Sequence, residues 1–320
     1  MIKAKVLRSS TRMFDCRCLL DGKLIQALAL GNLLKEDSIV VGDFVCIEQQ
    51  EDSYTIVKVL PRQNEMYRLS IREGRKKIIA ANCDYLIIQS SVSRPEYKRG
   101  IVDRFLIRAA EWNIPALVIF NKMDQFDSEK MDIQFESERL RPLNVSCYEI
   151  SAVSPERPAQ ILSLGFSQLK QEITGKTSIF LGQSGVGKSK TISALSGGEI
   201  ELKSNEVGKI GKGAHTTTWS EIIELGSFSL IDSPGIRSFS LEDIDPDHLM
   251  NYFPDLCDYA ALCKFTNCSH EADAVGCYFY NQELSSKGNV KAIHSRLDSY
   301  LRILNEISQI PHWQKRSLKK

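Results

Sequence analysis

The chain has 320 residues, of which 42% are hydrophobic and 25% are charged, a composition typical of globular proteins and a length that accommodates two or three domains. This composition excludes collagen-like, disordered and disulfide-scaffold proteins. Its 41 basic and 40 acidic residues leave a net charge of +1, so any attraction to nucleic acid has to come from local patches.

Five short β-like runs occupy the N-terminal part of the chain. They cover residues 2–7, 16–20, 24–30, 38–47 and 54–60, and Gly- and Asp-containing turns separate them. Closely spaced strands with turn signals predict a small all-β barrel.

A basic segment follows at residues 58–77, with seven basic residues against two acidic ones. We interpret it as a linker. It is either a solvated loop or a strip that contacts phosphates beside a barrel of the oligonucleotide-binding kind.

The pattern then changes to apolar strand, amphipathic helix and apolar strand, at residues 85–89, 103–112 and 116–120. This alternation predicts a parallel sheet with crossover helices. No apolar run reaches the roughly 18 residues that span a bilayer, and the first residues lack a signal-peptide core, so we expect a cytoplasmic protein without membrane contact.

The tetrapeptide Asn121-Lys122-Met123-Asp124 directly follows the second of these strands and fits the pattern N-K-x-D. The Asp124 carboxylate is suited to accept hydrogen bonds from N1–H and N2–H₂ of guanine, a pair of donors that adenine lacks. Lys122 would lie along the base, and Asn121 would tie the motif to a phosphate loop. Ser151 and Ala152 follow another strand-like run and resemble the element that backs the guanine base.

The strongest motif is Gly182-Gln183-Ser184-Gly185-Val186-Gly187-Lys188-Ser189, which follows the apolar run 177–181 and fits G-x-x-x-x-G-K-[ST]. Glycines let the backbone approach phosphate oxygens, and the next helix adds its positive end. Lys188 is predicted to reach the β- and γ-phosphates, Ser189 to bind Mg²⁺, and Lys190 to belong to the same nucleotide site.

Two further loops complete the predicted site. Asp232-Ser233-Pro234-Gly235 follows the apolar run 228–231, so Asp232 would hold Mg²⁺ through water and the Gly235 N–H would meet the γ-phosphate. The loop 211–218 contains His215 and three threonines, one of which, taken as Thr217, would complete the Mg²⁺ shell.

Four potential metal ligands occur in the C-terminal part, in the spacing Cys263-x₄-Cys268-x-His270-x₆-Cys277. Such a Cys₃His set is typical of one structural Zn²⁺. Cys257 is an alternative ligand. The remaining cysteines lie singly or on strands and are expected to be buried apolar residues: Cys16, Cys18, Cys46, Cys83 and Cys147. A helix over 290–307 and a basic tail follow.

The order of the motifs is N-K-x-D, Ser-Ala, P-loop, threonine loop and D-x-x-G, which is a circular permutation of the Ras-like order. With this order, the loop Gly-Lys-Gly-Ala-His-Thr-Thr-Thr and the zinc ligands, the sequence strongly resembles the ribosome small-subunit-dependent GTPase A family of bacteria. The resemblance covers essentially the whole chain and departs from the family at Ala214, where relatives usually carry a basic residue.

The resemblance implies a multidomain protein with an N-terminal barrel of the oligonucleotide-binding type (1–68), a permuted α/β P-loop GTPase domain (69–245) and an α-helical zinc-binding subdomain (246–320). It also implies GTP as substrate, with GDP as product, and the small ribosomal subunit and its rRNA as partners in late assembly. We expect a monomer.

We expect water to attack the γ-phosphate in a site where catalysis is mainly positioning and charge stabilisation, with Lys188, Thr217 and His215 as the catalytic residues. Ile236 stands where a Ras-type enzyme has a water-orienting Gln, which predicts slow turnover that a partner accelerates. His215 could instead contact RNA or order its loop. Two other functions remain open: a GTP-gated RNA-binding module with incidental hydrolysis, and an ATP-dependent kinase, for which the Asn121–Asp124 motif would have to be accidental.

Overall fold

The structure is a computed structural model that describes residues 1–10, 12–31, 33, 39–51, 53–70, 75–198, 220–232, 241–286 and 289–309. Within these residues, no helix combines the length and the apolar character needed to cross a membrane.

The N-terminal part is a closed five-stranded barrel, as predicted. Its strands are β1 (Ile2–Ser9), β2 (Met13–Cys18), β3 (Leu24–Ala29), β4 (Phe44–Gln50) and β5 (Ser53–Val59). They pair in the order β1-β2-β3-β5-β4, and β4 pairs with β1 to close the ring. Alternate residues such as Val6, Phe14, Ile25 and Ile56 fill the interior, as the two-residue period of a strand requires.

The basic segment 58–77 was predicted to be a linker, and this prediction was wrong. Glu65–Ser70 (β6) and Arg75–Ala81 (β7) form an antiparallel hairpin. Tyr67 is held against the central domain because its hydroxyl donates to Glu111 Oε1 at 2.6 Å, and Lys76 Nζ lies 4.1 Å from the Tyr67 ring centre. Apolar and aromatic residues between the basic ones therefore give this segment a strand structure. The boundary expected at residue 68 lies inside β6.

The central domain is built on a mostly parallel sheet. Its strands are β8 (Tyr85–Ser91), β9 (Ala116–Asn121), β10 (Ser146–Glu149), β11 (Thr177–Leu181), β12 (Glu221–Leu225) and β13 (Phe228–Asp232). They lie in the order β10-β9-β8-β11-β13-β12, and only β12 runs antiparallel to its neighbour. The barrel joins this sheet where Arg8 of β1 pairs with Glu221 of β12.

Helices cover both faces of the sheet, which explains the nearly continuous apolar strands. The helices α1 (Arg99–Glu111) and α2 (Ile133–Leu140) pack on one face. The helices α3 (Phe166–Ile173) and α4 (Lys188–Leu195) pack on the other. Neighbouring residues of β8 divide accordingly, with Leu86 and Ile88 in the first core and Ile87 in the second.

The C-terminal part is helical and has its own core. It contains α5 (Pro254–Ala260), α6 (Val290–Ser308) and the short 3₁₀ segments Pro246–Tyr252, Tyr278–Tyr280 and Gln282–Ser286. Two other 3₁₀ segments, Met123–Gln125 and Arg141–Leu143, belong to the central domain. Ile107 of α1 joins Phe253, Phe279 and Leu297 in the C-terminal core, so α1 is shared by both domains.

Candidate nucleotide site and metal cluster

The predicted nucleotide motifs meet at one edge of the central sheet. β8, β9, β10, β11 and β13 are parallel, so their carboxyl ends lie at the same edge. Asn121 ends β9, the glycine-rich loop follows β11, and Asp232 ends β13. The carboxyl edge of a parallel sheet is where α/β proteins bind ligands.

The loop from Gly182 to Gly187 depends on its glycines. Gly182, Gly185 and Gly187 all have positive φ angles, of 148°, 85° and 97°, a region that side-chain-bearing residues rarely adopt. A Cβ atom at Gly182 would lie 2.1 Å from the Gln89 carbonyl oxygen, and one at Gly187 would lie 2.5 Å from Asn121 Nδ2. Glycine is thus required at both ends of the loop by backbone angle and by space.

Lys188, the first residue of α4, reaches back across the loop. Its Nζ donates to the carbonyl oxygens of Gly182 at 2.8 Å and Gln183 at 2.9 Å. Ser189 follows it within the first turn and is buried. This places the ammonium group inside the loop, next to the N-terminal end of a helix, where anions are favoured.

Asn121 links the N-K-x-D motif to the glycine-rich loop and to Ala152. Its Nδ2 donates to the Val186 carbonyl oxygen at 2.8 Å, and its Oδ1 accepts from the Ala152 N–H at 3.1 Å. Lys122 adopts the left-handed conformation, and its Nζ donates to the carbonyl oxygens of Arg94 and of Gly185, the latter at 2.8 Å. Both side chains therefore join segments that are far apart in the sequence.

Asp124 is positioned by Ser151, whose Oγ donates to Asp124 Oδ1 at 2.6 Å. Partial burial would raise the pKa of Asp124, but hydrogen bonds from Ser151, from its own backbone and from Gln125 outweigh burial and lower that pKa below its ordinary value. The carboxylate is therefore ionised at neutral pH and can only accept hydrogen bonds.

Sequence reasoning missed two residues of this region. Gln89 is fully buried on β8, and its Nε2 donates to Val186 O at 3.1 Å and to Thr191 Oγ1 at 2.9 Å. Glu149 of β10 accepts the backbone N–H groups of residues 160–162, those of Ile161 and Leu162 at 2.9 and 2.6 Å, and so anchors the loop beyond Ala152. The signal for Gln89 was a lone amide in the apolar run 85–89.

Some predicted site residues lie outside the described part of the chain. These are His215, Thr217 and Gly235, together with the rest of the loops 211–218 and 233–236.

The four predicted metal ligands come together in the C-terminal part. The ligand atoms of Cys263, Cys268, His270 and Cys277 all lie within 4.8 Å of one another. His270 Nδ1 lies 3.5 Å from Cys263 Sγ and 3.9 Å from Cys277 Sγ. Around a tetrahedral zinc ion, sulfur and nitrogen ligands would be about 3.6 Å apart, which these distances match. Cys257 is outside this cluster, and its Sγ donates to Met250 O.

The chemistry of the cluster also suits a metal ion. Burial lowers the pKa of His270, which favours the neutral imidazole that binds metals. Burial raises the pKa of the Cys277 thiol to about 12, so a bound cation would have to displace its proton. The other five predicted core cysteines are buried, as expected: Cys16, Cys18, Cys46, Cys83 and Cys147.

Comparison with known proteins identifies the family. The family model described as RsgA GTPase matches residues 59–242. The protein named small ribosomal subunit biogenesis GTPase RsgA from Bacteroides fragilis is 33% identical over 267 residues, which cover 80% of this chain and 83% of that protein. The protein of the same name from Flavobacterium johnsoniae is 32% identical over 278 residues, covering 83% and 80%.

Two solved structures share the fold. YjeQ from Thermotoga maritima has a TM-score of 0.74 and 25% sequence identity, with 97% of this chain and 99% of that chain covered. YloQ, described as a circularly permuted GTPase, has a TM-score of 0.72 and 23% identity, with 97% and 96% covered. The barrel, the permuted GTPase fold and the C-terminal cluster all agree with the predicted fold class. By sequence and by architecture, this chain belongs to the RsgA GTPase family.

Proposed function

We propose that the protein acts in the assembly of the small ribosomal subunit by binding and hydrolysing GTP in response to that subunit. The observation that carries the nucleotide part is the pair of hydrogen bonds by which Asn121 joins Val186 of the glycine-rich loop to Ala152 in the loop after β10. Asp124 then has the acceptor oxygens for guanine N1–H and N2–H₂, and Ser151 orients them. The ribosomal part follows from the names of the relatives.

Hydrolysis proceeds by attack of a water oxygen on the γ-phosphorus and cleavage of its bond to the bridging oxygen, which leaves GDP and inorganic phosphate. The residues proposed to hold the nucleotide are Asn121, Lys122, Asp124, Ser151, Ala152, 182–190 and Gly235. When the nucleotide binds, the Lys188 ammonium group leaves the carbonyl oxygens of Gly182 and Gln183 and contacts the β- and γ-phosphates. Its charge stabilises the negative charge that builds up in the transition state.

Ser189, Asp232 and Thr217 are the proposed residues of the Mg²⁺ site. When bound, Mg²⁺ neutralises charge on the β- and γ-phosphate oxygens. His215 is proposed to act on the attacking water when the subunit is bound. Replacement by alanine tests this role: full subunit-stimulated turnover by His215→Ala would remove His215 from the catalytic residues.

The Cys263, Cys268, His270 and Cys277 cluster is proposed to hold one structural Zn²⁺, which would provide folding energy to the C-terminal part. Ribosomal RNA is the proposed contact of the barrel and the basic hairpin β6–β7, which carries Arg68, Lys76 and Lys77. The protein would act as a monomer in the cytoplasm.

The test is steady-state GTP hydrolysis by the purified protein, alone and with purified small ribosomal subunits. We expect slow turnover alone and an increase of at least about a hundredfold with subunits, which is a modest value beside the roughly 10³- to 10⁵-fold effect of an arginine finger on GTPases. Unchanged turnover despite demonstrated subunit binding would instead support a GTP-gated RNA-binding module. Equal competition by ATP would contradict the guanine assignment.

A further inference from the structure

Gln89 lies against both ends of the glycine-rich loop, at Gly182 and at Val186–Gly187. It is fully buried at the carboxyl end of β8. Its backbone carbonyl oxygen lies against Gly182, since a Cβ there would come within 2.1 Å of it. Its Nε2 donates to Val186 O at 3.1 Å and lies 3.7 Å from the Cβ position of Gly187.

The Val186 carbonyl oxygen accepts two side-chain hydrogen bonds, one from Gln89 Nε2 and one from Asn121 Nδ2 at 2.8 Å. A peptide group is planar and trans, so its C=O and N–H point in opposite directions. Holding the Val186 carbonyl towards β8 and β9 therefore turns the Gly187 N–H away from these strands. Backbone N–H groups of such a loop are the donors for phosphate oxygens.

The side-chain amide of Gln89 is also hydrogen-bonded to the helix that follows the glycine-rich loop. Its second N–H donates to Thr191 Oγ1 at 2.9 Å, and Thr191 is fully buried in α4, the helix that begins with Lys188. The buried Oε1 atom has no hydrogen-bond partner among the described residues. An apolar side chain would avoid burying an unpaired oxygen, so packing alone does not explain a glutamine at this position.

We propose that Gln89 is a positioning residue of the nucleotide site: it fixes the Val186–Gly187 peptide group so that the Gly187 N–H faces the nucleotide phosphates. This inference rests on the proposed nucleotide site. Gln89 acts on the phosphate part of the ligand and leaves the recognition of the base to Asp124. Asn121 holds the same carbonyl oxygen, so the two amides act together.

The experiment measures dissociation constants of GTP, GDP and IDP for the wild-type protein and for Gln89→Met, together with thermal unfolding without nucleotide. IDP lacks the guanine N2 amino group, so the ratio of the GDP and IDP constants reports on the base site. We expect Gln89→Met to raise all three constants about tenfold, equivalent to about 1.4 kcal/mol, without changing the GDP-to-IDP ratio.

Two further variants make the result specific. Thr191→Val removes only the anchor of the Gln89 amide and should raise the constants about threefold, which provides a second test if Gln89→Met does not fold. Ser178→Ala is the matched control, because Ser178 is fully buried on neighbouring β11 and its hydroxyl has no partner in the described part of the chain. It should leave all three constants unchanged.

Each outcome is decisive. Nucleotide constants within twofold of wild type for Gln89→Met and Thr191→Val, with or without a lower unfolding temperature, would show that Gln89 only stabilises the core and would overturn the proposal. A change in the GDP-to-IDP ratio would also overturn it. Failure of the wild-type protein to bind any of the three nucleotides would instead contradict the proposed nucleotide site.

Discussion

Ser151 and Asp124 are joined by a hydrogen bond of 2.6 Å, although they lie 27 positions apart in the chain. The bond holds Oδ1 of Asp124 in place, and Gln125 Nε2 donates to Oδ2 at 3.2 Å. A carboxylate has about four lone-pair sites, so both oxygens can still accept hydrogen bonds from a base. The loop that follows β10 thus sets the orientation of the residue proposed to select guanine.

The first prediction concerns Asp124→Asn. The amide places an N–H donor where guanine also has a donor, so the affinity for GTP should fall at least tenfold. Xanthine has a carbonyl group at position 2, so the affinity for XTP should rise. Competition binding with GTP and XTP measures both. Asp127→Asn is the control, since Asp127 is paired with exposed Lys130 and should leave the preference unchanged. An unchanged GTP-to-XTP ratio in Asp124→Asn would contradict the guanine contact.

The order of the motifs was sufficient to predict the permuted domain. The N-K-x-D, Ser-Ala, P-loop and D-x-x-G motifs follow apolar strands, and parallel strands bring such positions to one edge without further information. The metal cluster was predictable for a related reason: its four ligands lie within fifteen residues, so local chain geometry can bring them together.

The structural features that the sequence did not predict depend on contacts between residues far apart in the chain. The hairpin β6–β7 is stabilised by Tyr67 on Glu111, a contact across 44 positions, while its basic residues suggested a loop. Gln89 looked like an ordinary end of a strand because its partners, Val186 and Thr191, lie about a hundred residues further along. Such contacts require the tertiary structure.

Gly187→Ala tests the contact between the glycine-rich loop and Asn121. A Cβ at this position would lie 2.5 Å from Asn121 Nδ2, and Asn121 cannot move without losing Val186 O or the Ala152 N–H. We expect GDP affinity to fall at least tenfold, measured by calorimetry. Gly197→Ala is the matched control, because Gly197 also has a positive φ angle, of 72°, but nothing within 4 Å of its Cβ position. It should share the backbone strain, about 1–2 kcal/mol, and keep GDP affinity. Equal affinities for the two variants would contradict the importance of this contact.

Removal of metal should loosen the C-terminal part. Native mass spectrometry should find one zinc ion per chain in wild type, and Cys263→Ser should bind it at least tenfold more weakly. Chelation should expose residues 246–309 to proteolysis, since metal binding contributes folding energy to such small subdomains.

Cys257→Ser is the control: Cys257 precedes the cluster by six residues but bonds Met250 O at 3.2 Å, so the variant should keep its zinc. Zinc loss from Cys257→Ser, or full retention by Cys263→Ser, would show that the ligands are wrongly assigned.

The last prediction concerns Asp103, the buried carboxylate through which α1 holds the C-terminal helix. Asp103 Oδ1 accepts from Arg139 of α2 at 3.0 Å and from Arg296 of α6 at 2.6 Å. In Asp103→Asn, Arg139 keeps Glu136 and Arg296 keeps Asp255 as partners, so the loss of this charge should cost about 3 kcal/mol in urea unfolding, the lower end of the range for a broken buried pair. Arg104→Gln is the matched control, because Arg104 pairs with Glu306 at the surface between the same two helices and should contribute about 0–1 kcal/mol.

The stability difference between wild type and Asp103→Asn should depend on pH, because it depends on the ionisation of Asp103. Burial alone would raise that pKa, but Arg296 and Arg139 outweigh burial and hold it below the ordinary value of 3.8. A carboxylate with a lowered pKa in the folded state stabilises the protein above its unfolded-state pKa and loses this contribution as the pH falls through the folded-state pKa. The stability gap between wild type and Asp103→Asn should therefore be constant from pH 8 to about 5 and narrow below about 4. A gap that widens on acidification would mean that Asp103 is protonated in the folded protein and that its pairing with the two arginines contributes nothing.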